Sequence, residues 1–471
     1  MEIQTEEKLA LLPYNHDKIN DKHLVVNVLG DWAILEEEEF RRLNRYDVFE
    51  KGVLSNKLKK SNLLINNHSL EKRIASWRCL NLNLFCGPTL HIAVVTERCN
   101  LSCRYCQTRK DDAADMSIEV ASQIIDFLTQ NETPFATLEF QGGEPLCNWE
   151  VVKFLIERVV KLKKNPLRNK NIQFVLVTNL LLLDEKKLKF LINNNVRISS
   201  SLDGPGFIHD KNRVFANGRG SYKDVVNKIK MVKNEYKKRG IKKNVGLLPT
   251  ITKYSLSYYK EIIDEYLKQG QKSIALRYIN KLGKGQKSWR DLGVSTEDFC
   301  SFWAKSVDYI IKLNKQGKKI RERMLSVIAQ KVLKKADPFY VDMMNPCGAG
   351  RSVLTYAPSG DVYTCDEARM LKSNLFKIGN VVNDWYYEIM DSSVISDTMK
   401  SSLLEVWDSK SPYKAWAGTC PVLNYAQQGS PVTKICSSRF NKIQEFQFRY
   451  FFDKIVNNEE NLKIVKSWIF K

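Results

Sequence analysis

From His91 onward the chain alternates between short apolar runs and helical periods, and this alternation limits the possible folds more than any other feature of the 471 residues. The expected strands are His91–Val95, Thr137–Phe140, Ile172–Val177, Val196–Ser201, Asn244–Thr250 and Ser273–Ile279. The expected helices between them cover 117–130, 149–164, 184–193, 221–238 and 256–268, with a sixth after 296. The first shows the logic: Ser117 can cap its N-terminus, and Val120, Ile124, Phe127 and Leu128 recur at helical spacing. Six strand–helix units in series imply a parallel sheet with helices outside it. Right-handed crossovers curl such a sheet into a barrel or part of one, a partial (β/α)6 TIM-like barrel, with ligands at the strand C-terminal ends.

The flanks have another texture. Leu24–Val28 and Trp32–Leu35 read as two strands around a Gly30-Asp31 turn, and Glu36–Asn44 as a helix, a small N-terminal α+β module. After about residue 320 short strands, Gly/Pro turns and spaced aromatic segments take over. The expected divisions are 1–85, 86–318 and 319–471.

The net charge of +21 admits a nucleic-acid partner. Its lysines are scattered, as in Lys57-Leu-Lys-Lys60 and Lys237-Lys-Arg239, without interleaved aromatics, which reads as a solvated surface. No apolar run approaches the roughly 20 residues of a membrane span, and the acidic start Met1-Glu-Ile-Gln-Thr-Glu-Glu is no secretory signal. The expectation is a cytoplasmic protein with no membrane partner. Eleven cysteines in such a chain point to metal, redox or buried thiols rather than disulfides.

The first expected strand runs into Thr96-Glu-Arg-Cys99-Asn-Leu-Ser-Cys103-Arg-Tyr-Cys106. Three thiolates so close can ligate three irons of a cubane and leave the fourth open. Tyr105 offers an aromatic face for a purine. A zinc knuckle would want a fourth Cys or His nearby, and none follows within the loop.

This loop resembles the signature of the radical S-adenosylmethionine (SAM) superfamily. The resemblance implies a [4Fe-4S] cluster that binds SAM at its open iron, an enzyme that generates a 5′-deoxyadenosyl radical, and an external electron donor such as flavodoxin or ferredoxin. Gln141-Gly-Gly-Glu-Pro-Leu146 is similar to the family's Gly-Gly-Glu motif, which assigns Gly142, Gly143 and Glu144 to SAM. Asn179 ends the third strand in the same region. By the same resemblance Ser201 contacts ribose or carboxylate, and Arg213 is a further carboxylate contact.

Cys347 and Cys365 flank a hairpin expected to turn at Pro358-Ser-Gly360. This resembles the opening of a SPASM domain, the auxiliary-cluster module of peptide-modifying radical SAM enzymes. The later cysteine run is degenerate. Cys420 matches its final cysteine and Cys436 the one beyond, while Trp407, Lys410 and Trp416 stand at the other three positions. The four cysteines suffice for one auxiliary [4Fe-4S] cluster in a SPASM/twitch-like domain, with a structural zinc site as the alternative. Cys79, Cys86, Cys147 and Cys300 lack ligand spacing.

Most of the chain resembles the His-Xaa-Ser system radical SAM maturases, on stretches such as Leu138–Leu146, Ser200–Pro205, Cys365–Met370 and Ala426–Pro431. This implies a precursor peptide or protein as substrate, with the N-terminal module either holding its leader, the strand 24–28 serving as a free edge, or forming a plain structural extension that covers the barrel base. The alternatives are a protein serine or cysteine, a nucleic acid or a small metabolite. Asp203, Asp366 and Glu367 are the candidate proton acceptors.

Overall fold

The computed structural model describes residues 9–50, 52–81, 87–108, 114–131, 133–162, 170–371, 373–403, 410–432 and 438–470. Its centre is an eight-stranded sheet in the order Gly246–Leu248, Arg197–Ser201, Asn171–Val177, Phe135–Gly142, Leu90–Thr96, Val353–Tyr356, Asp361–Tyr363, Lys377–Asn380. The first five, Gly246–Leu248 to Leu90–Thr96, are parallel, as the strand–helix alternation requires. Helices Ile118–Gln130, Trp149–Leu162, Glu185–Asn193, Tyr222–Lys238, Tyr259–Lys268 and Thr296–Lys315 supply the expected layer. Ser117 caps the first of them by accepting from the Val120 amide at 3.1 Å.

The last two expected strands each split. Asn244–Thr250 becomes Gly246–Leu248 and Thr250–Ile251, with Pro249 between them, a residue that cannot donate to a ladder. Ser273–Ile279 becomes Ser273–Ile274, paired with Arg321–Glu322, and Arg277–Tyr278, paired with Thr250–Ile251. Both pairings are parallel and carry the winding past the open edge of the main sheet.

The opposite edge is extended from the C-terminal third. Val353–Tyr356 lies parallel to Leu90–Thr96, and its hairpin partners follow antiparallel. His91 fixes this junction: Nδ1 is 2.7 Å from the Tyr356 hydroxyl and the two rings stack. Burial pushes His91 down to about 3, so it is a neutral hydrogen-bonding group.

The N-terminal module is a three-stranded antiparallel sheet, Tyr14–Ile19, Lys22–Asn27 and Trp32–Leu35. The expected strand around Leu24 is therefore central, paired on both sides, and offers no free edge. The strand Tyr14–Ile19 is polar and half-exposed, so no apolar alternation announces it. The sheet buries both faces. Val25, Ala33 and Leu35 pack with Phe40, Leu43, Leu54 and Leu58 of the following helices. Ile19, Leu24 and Val26 join the main core with Tyr413, Trp416, Phe448 and Phe452. Asp31, fully buried, pairs with Arg73 at 2.9 Å and with Lys335.

Candidate active site

The cysteine loop leaves the C-terminal end of Leu90–Thr96 and is held by backbone bonds. The Gly143 amide donates to Thr96 O and the Glu144 amide to Arg98 O, both at 2.8 Å. Ser102 N donates to Val214 O at 2.7 Å and Arg104 N to Asn212 O at 2.9 Å. A Cβ on Gly143 would sit 2.6 Å from Glu97 O and closer still to Arg98 O, and one on Gly142 would collide with Thr96 O. These glycines therefore let two loops pack backbone to backbone, a requirement that precedes any approach to a ligand.

Cys99, Cys103 and Cys106 line one cavity of about 210 Å³, whose wall includes Gly142–Glu144, Asn179, Ser201 and Arg213. Among the described residues no three His, Cys, Asp or Glu side chains form a group able to hold a single metal ion. A cubane asks for a different arrangement, one thiolate for each of three irons around the edge of a cavity, and the three thiols fit it. Burial, together with the other two thiols, pushes Cys103 up to about 12. A thiol in this position becomes a thiolate when a metal takes the place of the proton.

Glu144 turns inward. Its carboxylate accepts from Leu146 N at 3.0 Å, Thr178 Oγ1 at 2.6 Å and Asn179 N at 2.7 Å, and burial pushes it up to about 7. It thus ties the turn after Phe135–Gly142 to the end of Asn171–Val177. Asn179 donates to Asn100 Oδ1 at 2.7 Å, with Cys99 Sγ 3.9 Å away.

Asp203 is 0% exposed and accepts from Tyr105 Oη at 2.7 Å, Arg213 Nε at 3.2 Å and Thr250 N at 3.1 Å. The Arg213 guanidinium lies over the Tyr105 ring, 5.2 Å from its centroid. With its oxygens taken by these donors, Asp203 holds the aromatic of the cysteine loop in place, and the expectation of a proton acceptor here gives way to a positioning role. Tyr105 lines the cavity, but its hydroxyl is bound and one ring face carries Arg213. His209, for which the sequence suggested no role, completes the group. Its Nδ1 accepts from Asp203 N at 3.3 Å, and burial pushes it down to about 4.

A second cavity of about 400 Å³ is lined by Cys347, Cys365 and Cys420 together with Asp366 and Glu367. Desolvation holds all three thiols above their ordinary range, and neighbouring thiols push Cys365 and Cys420 further. The three cysteines come from 18 and 55 positions apart along the chain, and the hairpin and the Pro421–Gln428 helix bring them to one wall. Cys436 lies outside the described residues, as do Cys86 and Trp407. Trp416 stacks on Phe448 at 5.5 Å in the core. Cys79 is exposed, Cys147 half-buried and Cys300 buried.

The two cavities share Gln141, Arg277 and Tyr278. Arg277 donates to Glu367 at 2.7 Å, and Arg369 donates to Asp366 through Nε and Nη2, at 3.1 and 3.0 Å. Glu139 projects from the strand Phe135–Gly142 toward the same space and accepts from Gln141 at 2.6 Å. Sequence reasoning did not single out Arg277, Gln141 or Glu139. The inward alternation Glu139, Gln141 between buried Leu138 and Phe140 was the available signal.

Residues 93–273 match the Radical SAM superfamily. A cysteine-type anaerobic sulfatase-maturating enzyme of Clostridium novyi is 25% identical over 66% of this chain and 81% of its own length. The solved structure of native anSMEcpe with bound AdoMet superposes with a TM-score of 0.66 at 20% identity, covering 78% of this chain and 98% of that one. Streptococcus suis SuiB bound to S-adenosylmethionine gives 0.56 at 14% identity, over 91% and 100%. At these identities the two superpositions speak to the fold. Among the described residues no helix is long and apolar enough to cross a membrane. Three thiols around one cavity at the C-terminal mouth of a parallel sheet lie inside the segment that matches this superfamily; the protein is an enzyme with a radical SAM domain over residues 93–273, and its cofactors are a [4Fe-4S] cluster and SAM.

Proposed function

We propose that this enzyme modifies a side chain of a ribosomally made peptide or protein, with the SAM site in the smaller cavity and the substrate residue in the larger. The observation that carries the reading is the shared wall of Gln141, Arg277 and Tyr278. A side chain entering the larger cavity reaches the SAM pocket there. When bound, the cluster and SAM supply abstraction of a hydrogen atom from an unactivated C–H bond. Cys99, Cys103 and Cys106 would hold that cluster, and Cys347, Cys365 and Cys420, with Cys436, an auxiliary one.

The chain's own residues do the rest. Gly142, Gly143, Asn179, Ser201 and Arg213 line the SAM pocket, and Asp203 keeps Tyr105 and Arg213 in register. In the second cavity Glu367 is paired with Arg277, while both bonds from Arg369 go to Oδ1 of Asp366. Asp366 is thus the better-placed proton acceptor, held by one oxygen with the other unengaged by that arginine. A peptide strand can add to the N-terminal sheet only at an outer strand, Tyr14–Ile19 or Trp32–Leu35. Among the neighbours, SuiB has also been solved bound to precursor peptide SuiA, which supports a peptide substrate here.

The relatives named as sulfatase-maturating enzymes favour a second reading, oxidation of a protein cysteine or serine. One experiment addresses both. The anaerobically reconstituted enzyme is incubated with SAM, reductant and either short peptides encoded beside its gene or a sulfatase-derived cysteine peptide. The products are sequenced by tandem mass spectrometry. A mass change confined to a side chain of one peptide set supports the corresponding reading. SAM cleavage that no peptide alters, but that RNA or a small metabolite stimulates, overturns the proposal.

A further inference from the structure

Phe339 is 50% exposed, belongs to none of the apolar clusters, and among the described residues has no ring or cation partner. The next residue, Tyr340, packs against the main core and lies under the Arg323 guanidinium, 5.1 Å from its centroid. An exposed apolar side chain is ordinary by itself. The backbone beneath this one is not. Phe339 has a φ of +53°, where glycine is at ease and a bulky L-residue is strained. Its neighbours impose the conformation. Pro338 has a fixed φ and no backbone donor. Asp337 accepts from Phe339 N at 2.8 Å through Oδ1 and from Lys331 Nζ at 3.1 Å through Oδ2. Lys331, buried on the helix Arg323–Leu333, also donates to Trp416 O at 2.9 Å. A buried lysine anchored to the aromatic core thus holds the carboxylate, and the carboxylate holds the turn. The side chain that this turn displays returns none of the strain by packing. Strain of this kind collects where another molecule makes use of it. Phe339 lines the larger cavity, and with half its surface in water it stands at the mouth.

We propose that Phe339 is a specificity-determining residue, an aromatic rest at the cavity mouth for an apolar side chain that flanks the modified residue of the peptide. The inference rests on the peptide reading given above. Successive residues of an extended peptide advance about 3.3 Å, so a chain that delivers one side chain into the cavity lays its neighbours across the rim. There an apolar neighbour leaves water against a ring that is already held in place, and no ordering of Phe339 opposes binding.

The test uses the full-length reconstituted enzyme and the variants Phe339→Gly and Phe339→Tyr. The probes are synthetic peptides that tile the short open reading frames beside the gene, together with the sulfatase-derived cysteine peptide. Each probe that wild type modifies is also made with the apolar residues within two positions of the modified side chain changed to Ser. Phe339→Gly should raise KM at least tenfold with kcat within about threefold of wild type, and Phe339→Tyr should keep KM within about twofold. The change to Ser should cost wild type at least tenfold in kcat/KM and the glycine variant less than about twofold. Glycine relieves the strain, so the urea midpoint of Phe339→Gly should equal or exceed that of wild type. An unchanged KM overturns the proposal, and so does an equal penalty for Ser in wild type and variant, or a modified probe with no apolar residue in those positions. A lower urea midpoint would make the ring a packing element and overturn it. So would conversion of a dimer to a monomer on sedimentation, which would assign the ring to self-association. Failure of wild type to modify any probe, with SAM still cleaved, would instead overturn the peptide reading beneath it.

Discussion

Arg277 and Glu367, ninety positions apart, meet through a 2.7 Å hydrogen bond at the wall between the two cavities. One comes from the barrel and the other from the helix that follows Cys365, so the pair spans the two parts of the site. Replacing Arg277 with Met leaves Glu367 unpaired where burial already holds its carboxyl above the ordinary range. The expected outcome is a fall of tenfold or more in kcat for side-chain modification, with dithionite-driven SAM cleavage within about threefold of wild type. Quantifying modified peptide against 5′-deoxyadenosine in the same reaction separates the two.

Changing Cys99, Cys103 and Cys106 together to Ala should abolish SAM cleavage and leave the fold intact. The loop is held by backbone bonds to Val214, Asn212 and Gly143, none of which uses a thiol. Iron should fall from about eight to about four per chain, with far-UV circular dichroism unchanged. Zinc in place of the remaining iron would assign the second site to a structural ion.

Gly143→Ala tests the loop packing. The added methyl meets Glu97 O and Arg98 O, both backbone atoms that cannot swing away. A loss of about 1–3 kcal/mol is expected, along with poor cluster retention after reconstitution. Denaturant unfolding and iron analysis measure the two effects.

Glu144 makes stability depend on pH. Its folded value of about 7 lies above the unfolded value of about 4.3. The folded state therefore holds this proton more tightly than the unfolded state. Its contribution is fully present below about pH 4.3 and is lost as pH rises toward 7. Between pH 5 and 7 the unfolding free energy of wild type should fall relative to that of Glu144→Gln, by about 1.4 kcal/mol per pH unit. Parallel urea titrations of the two proteins give the difference directly; identical slopes would contradict it.

Deleting residues 1–85 would strip the cover from Tyr413, Trp416, Phe448 and Phe452, so the truncated chain should aggregate. A gentler probe is Asp31→Ala, which leaves Arg73 without its carboxylate in a largely buried position. A loss of about 3 kcal/mol is expected, readable as a shift in the denaturation midpoint, with the iron content of the folded protein unchanged.

The succession of strands and helices, and a cysteine-bearing loop at the end of the first strand, could be read from the sequence alone. Hydrophobic period and cysteine spacing are local properties, and Leu90–Thr96 running into Cys99, Cys103 and Cys106 carries both within seventeen residues. The sequence also marked Cys347, Cys365 and Cys420 as a set. Only the tertiary structure decided which side chains share a wall. Arg277 is an ordinary charged residue until two distant elements set it beside Glu367. Asp203 looked like a free carboxylate until Tyr105, Arg213 and Thr250 N took its oxygens. The strand around Leu24 looked like an edge until the polar Tyr14–Ile19 paired beside it. In each case the missing information was a contact between residues far apart in the chain, and a carboxylate or a backbone amide carries no local mark of the partner that will satisfy it.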